Sequence, residues 1–338
     1  MLKNIVLYND VRTILTNIIE YLCIKMYIIV EGGSNMDLIT TNELCKSYNK
    51  KLVIDHVNMH IPESSIYGFV GENGSGKTTI MRLLTGLAEP TSGTYELFGL
   101  KNNDPRIYDK RRYISAIVET ASLIPTLTAK QNIRYYELYT GIELTEEQRD
   151  ELLAKVHLHN VEGKKVRNFS LGMRQRLAIA LALVNNPKLM FLDEPMNGLD
   201  PEGIAELRDL LIELNQKDGI TVLISSHILS ELEKIASCYG FISHGKILEE
   251  ITAQELKERC RKSLMVKVDK LDKAEKALKQ LGALDYKVSP NGEIKIYDNL
   301  KIKDVVVCLD AAGVELLGIN SSEESVEDYY LNLVREGK

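Results

Sequence analysis

The chain has 338 residues, 44% hydrophobic and 27% charged, with a net charge of −6 and a pI near 5.7. That length suits two or three domains with a sizeable core, in an ordinary soluble composition. The acidic balance gives no bulk attraction to nucleic acid or anionic lipid. The five scattered cysteines, Cys23, Cys45, Cys238, Cys260 and Cys308, include no C-x-x-C pair, which fits a reducing cytoplasm and argues against a zinc site or a disulfide framework.

No uninterrupted apolar run reaches the length of a membrane span. The nearest, residues 14–30, is broken by Asn17, Glu20 and Lys25 and could form at most an amphipathic surface helix. It lacks the small-residue cleavage site of a signal peptide. Just before Met36 the chain reads Glu31-Gly32-Gly33-Ser34-Asn35. Glycine codons begin GG, so this pair reads as a translated ribosome-binding sequence. Residues 1–35 are then a non-native or disordered extension and Met36 the native start. Mass spectrometry of the native gene product tests this, and an intact Met1 peptide refutes it.

Residues 37–44 and 51–61 alternate as two strands joined at Asn49-Lys50. Tyr48 at that turn either stacks on a nucleotide base or faces solvent, and spacing alone does not choose. Residues 66–70 read as a buried strand. They run into Gly71-Glu72-Asn73-Gly74-Ser75-Gly76-Lys77-Thr78-Thr79, which is G-x-x-x-x-G-K-[ST], followed by a helix over 77–87 with Ile80, Leu83, Leu84 and Leu87 in period. In such a loop the glycines let backbone N–H groups close around phosphate oxygens, and the helix N-terminus adds partial positive charge. Lys77 reaches the β- and γ-phosphates, and the Thr78 hydroxyl binds Mg²⁺.

A turn at Glu89-Pro90-Thr91-Ser92-Gly93 precedes a strand over 94–98. Residues from about 105 to 185 turn mostly helical, with helices expected over 134–139, 145–156 and 173–184. Thr145 is placed to N-cap the second, with acidic residues in its first turn. The run Leu189-Met190-Phe191-Leu192-Asp193-Glu194 is a buried strand delivering two carboxylates to a parallel-sheet edge. Beside a P-loop, Asp193 is placed to hold Mg²⁺ and Glu194 to orient or deprotonate a water. Residues 219–226 form another strand, and His227 follows at its end, where γ-phosphate contacts gather in such sheets.

Phe169-Ser170-Leu171-Gly172-Met173-Arg174-Gln175-Arg176 resembles the signature motif of ABC ATPases, and with it residues 37 to about 250 resemble the nucleotide-binding subunit of an ABC transporter. The resemblance makes Gly71 to Thr79 the Walker A loop and Asp193 the Walker B acid. Tyr48 becomes the aromatic that stacks on adenine, Glu119 the Q-loop residue, Asp200 part of the D-loop and His227 the switch histidine. It implies ATP and Mg²⁺ as cofactors, with Glu119 near the metal. It also implies paired cassettes that sandwich ATP, with Ser170 and Gly172 of one copy meeting the nucleotide held by the other. Two departures, Ser170-Leu171-Gly172-Met173 for Ser-Gly-Gly-Gln and Glu119 for glutamine, resemble exporters of bacitracin-type and lantibiotic peptides.

The expected fold is therefore α/β, a P-loop cassette over 36–260 with a mixed sheet and helical subdomain. A small α+β unit of ferredoxin-like order, β-α-β-β-α-β, is expected from 262 onward. It carries strands over 264–268, 284–288, 293–297 and 314–319 and helices over 273–281 and 302–312. A closing helix over 322–334 would be capped near Ser322, with Glu323 and Glu324 in its first turn. Without a span of its own the chain needs a separate transmembrane permease, working in the cytoplasm at the inner face of the membrane. The alternative is a soluble ABC ATPase on ribosomes or DNA. Against it stand a single P-loop and a stretch from Thr79 to Ser170 with room for the helical subdomain alone. A P-loop kinase would leave the signature and His227 unexplained.

Overall fold

The computed structural model describes residues 37–118, 122–260, 263–289, 293–298, 300–322 and 325–336. The N-terminal extension with residues 14–30, the Q-loop residue Glu119, the turn at 290–292 and the pair Glu323-Glu324 lie outside them.

Two sheets enclose the first helix. Strands β1 (Asp37–Tyr48), β2 (Lys51–Pro62), β4 (Ser92–Leu97) and β5 (Leu100–Lys101) form an antiparallel sheet in the order β2-β1-β4-β5. The second sheet runs β10-β9-β3-β8-β7-β6, from β3 (Ile66–Val70), β6 (Ile114–Ile117), β7 (Leu189–Asp193), β8 (Thr221–Ser226), β9 (Cys238–Ser243) and β10 (Lys246–Thr252). It is parallel from β9 to β6, with β10 antiparallel at one edge. Every residue of β3, β7 and β8 is buried, as a sheet covered on both faces requires. Helix α1 (Lys77–Leu84) lies between the sheets. Its Ile80, Met81, Leu83 and Leu84 share one core with Ile39 and Tyr95 of the antiparallel sheet and with Phe191 and Leu223 of the other.

After the short α2 (Ile107–Arg111), helices α3 (Ala129–Thr140), α4 (Glu146–Lys155) and α5 (Leu171–Leu183) share one core with the opposite face of the parallel sheet. Thr128 and Thr145 each close a capping box, with Gln131 and Gln148 respectively. Helix α6 (Pro201–Asp218) follows β7, the single-turn α7 (Leu229–Leu232) follows β8, and α8 (Ala253–Arg259) ends this half.

A separate apolar core lies under β11 (Ser263–Val268), β12 (Tyr286–Val288), β13 (Glu293–Ile296) and β14 (Leu316–Ser322). These strands are antiparallel in the order β12-β13-β11-β14 and are covered by α9 (Leu271–Leu281) and α10 (Ile302–Ala311). The closing helix corrects the sequence reading. It is α11 (Val326–Glu336), and its cap is Ser325 rather than Ser322. The Ser325 Oγ accepts from the Asp328 N–H, and the Asp328 carboxylate accepts from the Ser325 N–H. Ser322 still belongs to β14, paired with Ser263. The buried residues of α11, Val326, Tyr329 and Tyr330, join the core of the P-loop half rather than that of the four-stranded unit.

Candidate functional site

The loop from β3 to α1 is shaped by residues without a side chain. Gly74 and Gly76 take φ of 82° and 115°, a region that strains residues with a Cβ. A Cβ on Gly71 would lie 2.5 Å from the Ile242 carbonyl oxygen and 2.6 Å from Ser75 Oγ, so the loop begins pressed against β9. Gly76 caps α1 with no side-chain hydrogen bond, which leaves the first amides of the helix open to an anion. Ser75 Oγ is buried and has no hydrogen-bond partner among the described residues. Lys77 is buried too, and its ammonium donates to the carbonyls of Gly71 at 2.6 Å and Glu72 at 3.2 Å. A buried cation, open amides and an unpartnered hydroxyl around one loop fit a polyphosphate.

The end of β7 brings the carboxylates to this loop. Asp193 accepts from the Thr78 hydroxyl at 2.6 Å and from the Ser225 hydroxyl at 2.6 Å. Ser225, on β8, also accepts from the backbone N–H of Glu194 at 2.8 Å. Glu194 turns into the left-handed region, φ 49°, a conformation that a non-glycine residue holds only where its surroundings enforce it. One of its carboxylate oxygens accepts from His227 Nδ1 at 2.7 Å. The other is buried, lacks a hydrogen-bond partner among the described residues, and lies 3.6 Å from Lys77 Nζ. Thr78 and Asp193 thus supply an oxygen-only pair of the kind a hard divalent cation prefers. Beside the two carboxylates a cavity of about 630 Å³ opens between Leu123, Arg174, Gln175 and Asn197.

A second group lies at the start of α5. Ser170 caps that helix, its hydroxyl accepting from the Met173 N–H at 3.2 Å, and Ser170 and Leu171 are exposed. Asp200 caps α6 in the same way, accepting from the Gly203 N–H at 3.1 Å. The two helix starts touch, since a Cβ on Gly172 would sit 3.7 Å from Gly203 Cα and one on Gly198 would sit 3.2 Å from Leu171. Among the described residues no hydrogen bond joins Ser170, Gly172 or Asp200 to the P-loop. Asn73 and Thr79 complete the loop, Asn73 exposed and Thr79 half-buried in α1. Tyr48 ends β1 exposed, with the Lys46 ammonium 5.0 Å from its ring centroid. Its hairpin partner β2 does reach the P-loop, because a Cβ on Gly76 would meet Ile54 at 2.6 Å.

The family model described as "ABC transporter" matches residues 54–197. The bacitracin transport ATP-binding protein BcrA of Bacillus licheniformis is 41% identical over 305 residues, which cover 89% of this chain and 98% of that protein. The chain belongs to the ATP-binding subunits of ABC transporters. The lantibiotic transport ATP-binding protein SrtF of Streptococcus pyogenes is 45% identical over 215 residues, covering 63% of this chain and 90% of that one. Among solved structures, a dimeric post-hydrolysis state of the ATP-binding cassette MJ0796 bound to ADP and Pi superposes with a TM-score of 0.56 at 27% identity. It covers 64% of this chain and 98% of that one. The ABC subunit is an ATPase, and the likeness to BcrA and SrtF, both transport ATP-binding proteins, does not favour a role on ribosomes or DNA.

Sequence reasoning about this ABC ATPase missed Ser225 and Tyr330. Ser225 joins Asp193 to Glu194 from a neighbouring strand, and the Tyr330 hydroxyl, 258 residues further along the chain, accepts from the Glu72 N–H at 3.1 Å. Neither belongs to a local motif. Only the position of Ser225 near the end of a buried strand, two residues before His227, offered a signal.

Proposed function

We propose that the chain binds Mg-ATP between paired copies and uses its hydrolysis to drive export of antimicrobial peptides of the bacitracin or lantibiotic kind. What carries the substrate class is the match to BcrA, which runs over 98% of that protein and so includes the unit after the cassette. In this reading Lys77, Ser75 and the open amides of α1 bind the phosphates, and Tyr48 stacks on the base. Thr78 and Asp193 hold Mg²⁺, with Glu119 near it; the ion supplies neutralisation of phosphate charge. Glu194, oriented by His227, takes the proton of the attacking water. Ser170, Gly172 and Asp200 serve the nucleotide of the partner copy.

Residues 36–260 are the cassette, with its helical subdomain over about 105–185. The accessory unit from 262 is read as a ferredoxin-like domain, a reading supported by its strand order β12-β13-β11-β14. Among the described residues no helix is long and apolar enough to cross a membrane. The membrane part therefore falls to a separate permease, which holds this subunit at the cytoplasmic face. Tyr135, Leu138 and Tyr139 stand exposed along α3 and offer an apolar face for that partner. Glu119 acts as a coupling sensor more than as the base, because Glu194 already fills that role.

The test is resistance to bacitracin and to lantibiotics in cells lacking the gene, complemented with wild type, Glu194→Gln or Glu119→Ala. Wild type should restore resistance and Glu194→Gln should not. Glu119→Ala should keep ATP binding in the purified protein yet restore only part of the resistance. Deletion without any change in peptide sensitivity would sink the substrate class and leave the ATPase reading standing.

A further inference from the structure

The last helix of the chain leaves the four-stranded unit and returns to the nucleotide-binding loop. Tyr330 of α11 is buried, with its ring stacked on Phe241 of β9 at a centroid distance of 6.0 Å and an angle of 24°. Its hydroxyl accepts from the Glu72 N–H at 3.1 Å and donates to the Ile242 carbonyl at 3.5 Å. The preceding residue anchors the helix further. The Tyr329 hydroxyl donates to the Glu249 carboxylate at 2.6 Å, beside the Arg259 guanidinium.

The bonded amide of Glu72 belongs to the same peptide group as the Gly71 carbonyl. That carbonyl accepts from the Lys77 ammonium at 2.6 Å. One peptide unit is therefore fixed at both ends, by a tyrosine hydroxyl on its N–H and by the loop lysine on its C=O. Bonds in such a series polarise each other, and the peptide plane cannot rotate without breaking both. A cavity of about 240 Å³ beside it is lined by Val70, Glu72, His227, Leu229, Tyr330 and Leu331. Helix α11 thus also borders the segment that carries the histidine bonded to Glu194.

We propose that Tyr330 is a positioning residue for the nucleotide site, orienting the Gly71–Glu72 peptide on which the Lys77 ammonium rests. Lys77 is then held in place before phosphate arrives, and less ordering remains to be done on binding. By linkage, ATP and the docked state of α11 favour each other. The accessory unit sits between α8 and α11 in the chain, so its placement is felt at the P-loop through this contact. The proposal rests on the reading of Lys77 as the phosphate-binding lysine.

The test uses the full chain, with ATP affinity measured by fluorescence titration and steady-state KM and kcat measured beside it. Tyr330→Phe keeps the ring on Phe241 and removes only the hydroxyl. It should raise the Kd and KM for ATP about three- to tenfold, the worth of one hydrogen bond, with kcat within about twofold of wild type. Tyr329→Phe removes a hydroxyl from the same helix without touching the loop and, with α11 still docked through Tyr330, should leave KM unchanged. An unchanged KM in Tyr330→Phe, or an equal rise in both variants, overturns the proposal. Lys77→Ala separates the two layers. If it binds ATP as wild type does, the P-loop reading falls and takes this proposal with it. If Lys77→Ala loses affinity while Tyr330→Phe does not, only the positioning role falls.

Discussion

Ser225 is one hydroxyl between two carboxylate residues. It donates to Asp193 and accepts from the Glu194 backbone, so it fixes both the Asp193 carboxylate and the strained turn that aims Glu194. Ser225→Ala removes a bond to a charged group and frees the Glu194 amide. A hydrogen bond of this kind is worth ~1.5–3 kcal/mol. We therefore expect kcat to fall roughly ten- to hundredfold while ATP affinity changes less than about threefold. ATPase assays run against nucleotide titration check it, and a wild-type kcat would remove Ser225 from the site. The residues that were legible in the sequence are those in one continuous motif or just past a strand end: Lys77, Thr78, Asp193, Glu194 and His227. Their roles follow from a chain that bends locally. Ser225 and Tyr330 act across strands and helices, and no spacing in the sequence reports which strand lies beside which.

The elements divide in the same way. The strands β3 and β7 were readable because a sheet covered on both faces needs nearly continuous apolar residues, and β8 carries the same run over Val222, Leu223 and Ile224. The start of α4 was readable because Thr145 begins a capping box. Ends of helices were less so. Helix α1 stops at Leu84, where Gly86 turns left-handed at φ 78°, although Leu87 continues the apolar period; Leu87 is exposed. Helix α3 begins at Ala129, well before the periodic stretch from 134, because the Thr128–Gln131 box sets its start. What ties α3 to α4 was not readable at all. The Arg149 guanidinium meets the Glu137 carboxylate through two hydrogen bonds, 2.9 and 2.7 Å, with both side chains buried. Glu137→Ala would remove both of those bonds and leave the guanidinium to the exposed Glu146 carboxylate, at 2.7 Å. Urea or thermal unfolding should register the loss. Glu137→Leu combined with Arg149→Leu should recover much of it, since the carboxylate that then loses Arg149, Glu146, is exposed to water. A single variant as stable as wild type would mean that solvent reaches Arg149.

At the scale of the whole molecule, the site is divided between two helix starts that do not meet. The α1 end, with Lys77 and the open amides, faces one anion site. The α5 end, with Ser170 and Gly172, is exposed beside Asp200 and makes no hydrogen bond to the P-loop among the described residues. In the proposed pairing, an α5 terminus with its own partial positive charge, left uncovered in one copy, would be completed by a phosphate brought by another. Glu194→Gln keeps the size and polarity of the side chain but removes the proposed base, so Mg-ATP should bind without turning over and hold two copies together. Light scattering after size exclusion should then give twice the monomer mass with Mg-ATP and the monomer mass without it. Ser170→Glu in the same background puts a carboxylate where the γ-phosphate of the partner copy would arrive. Repulsion between the two anions should return the protein to monomer, while ATP binding to the P-loop of each copy stays within about threefold. That split between retained binding and lost pairing is what a shared site demands. A Glu194→Gln protein that remains monomeric in saturating Mg-ATP would refute the sandwich. A Ser170→Glu double variant that still pairs would place the contact between copies somewhere other than the start of α5.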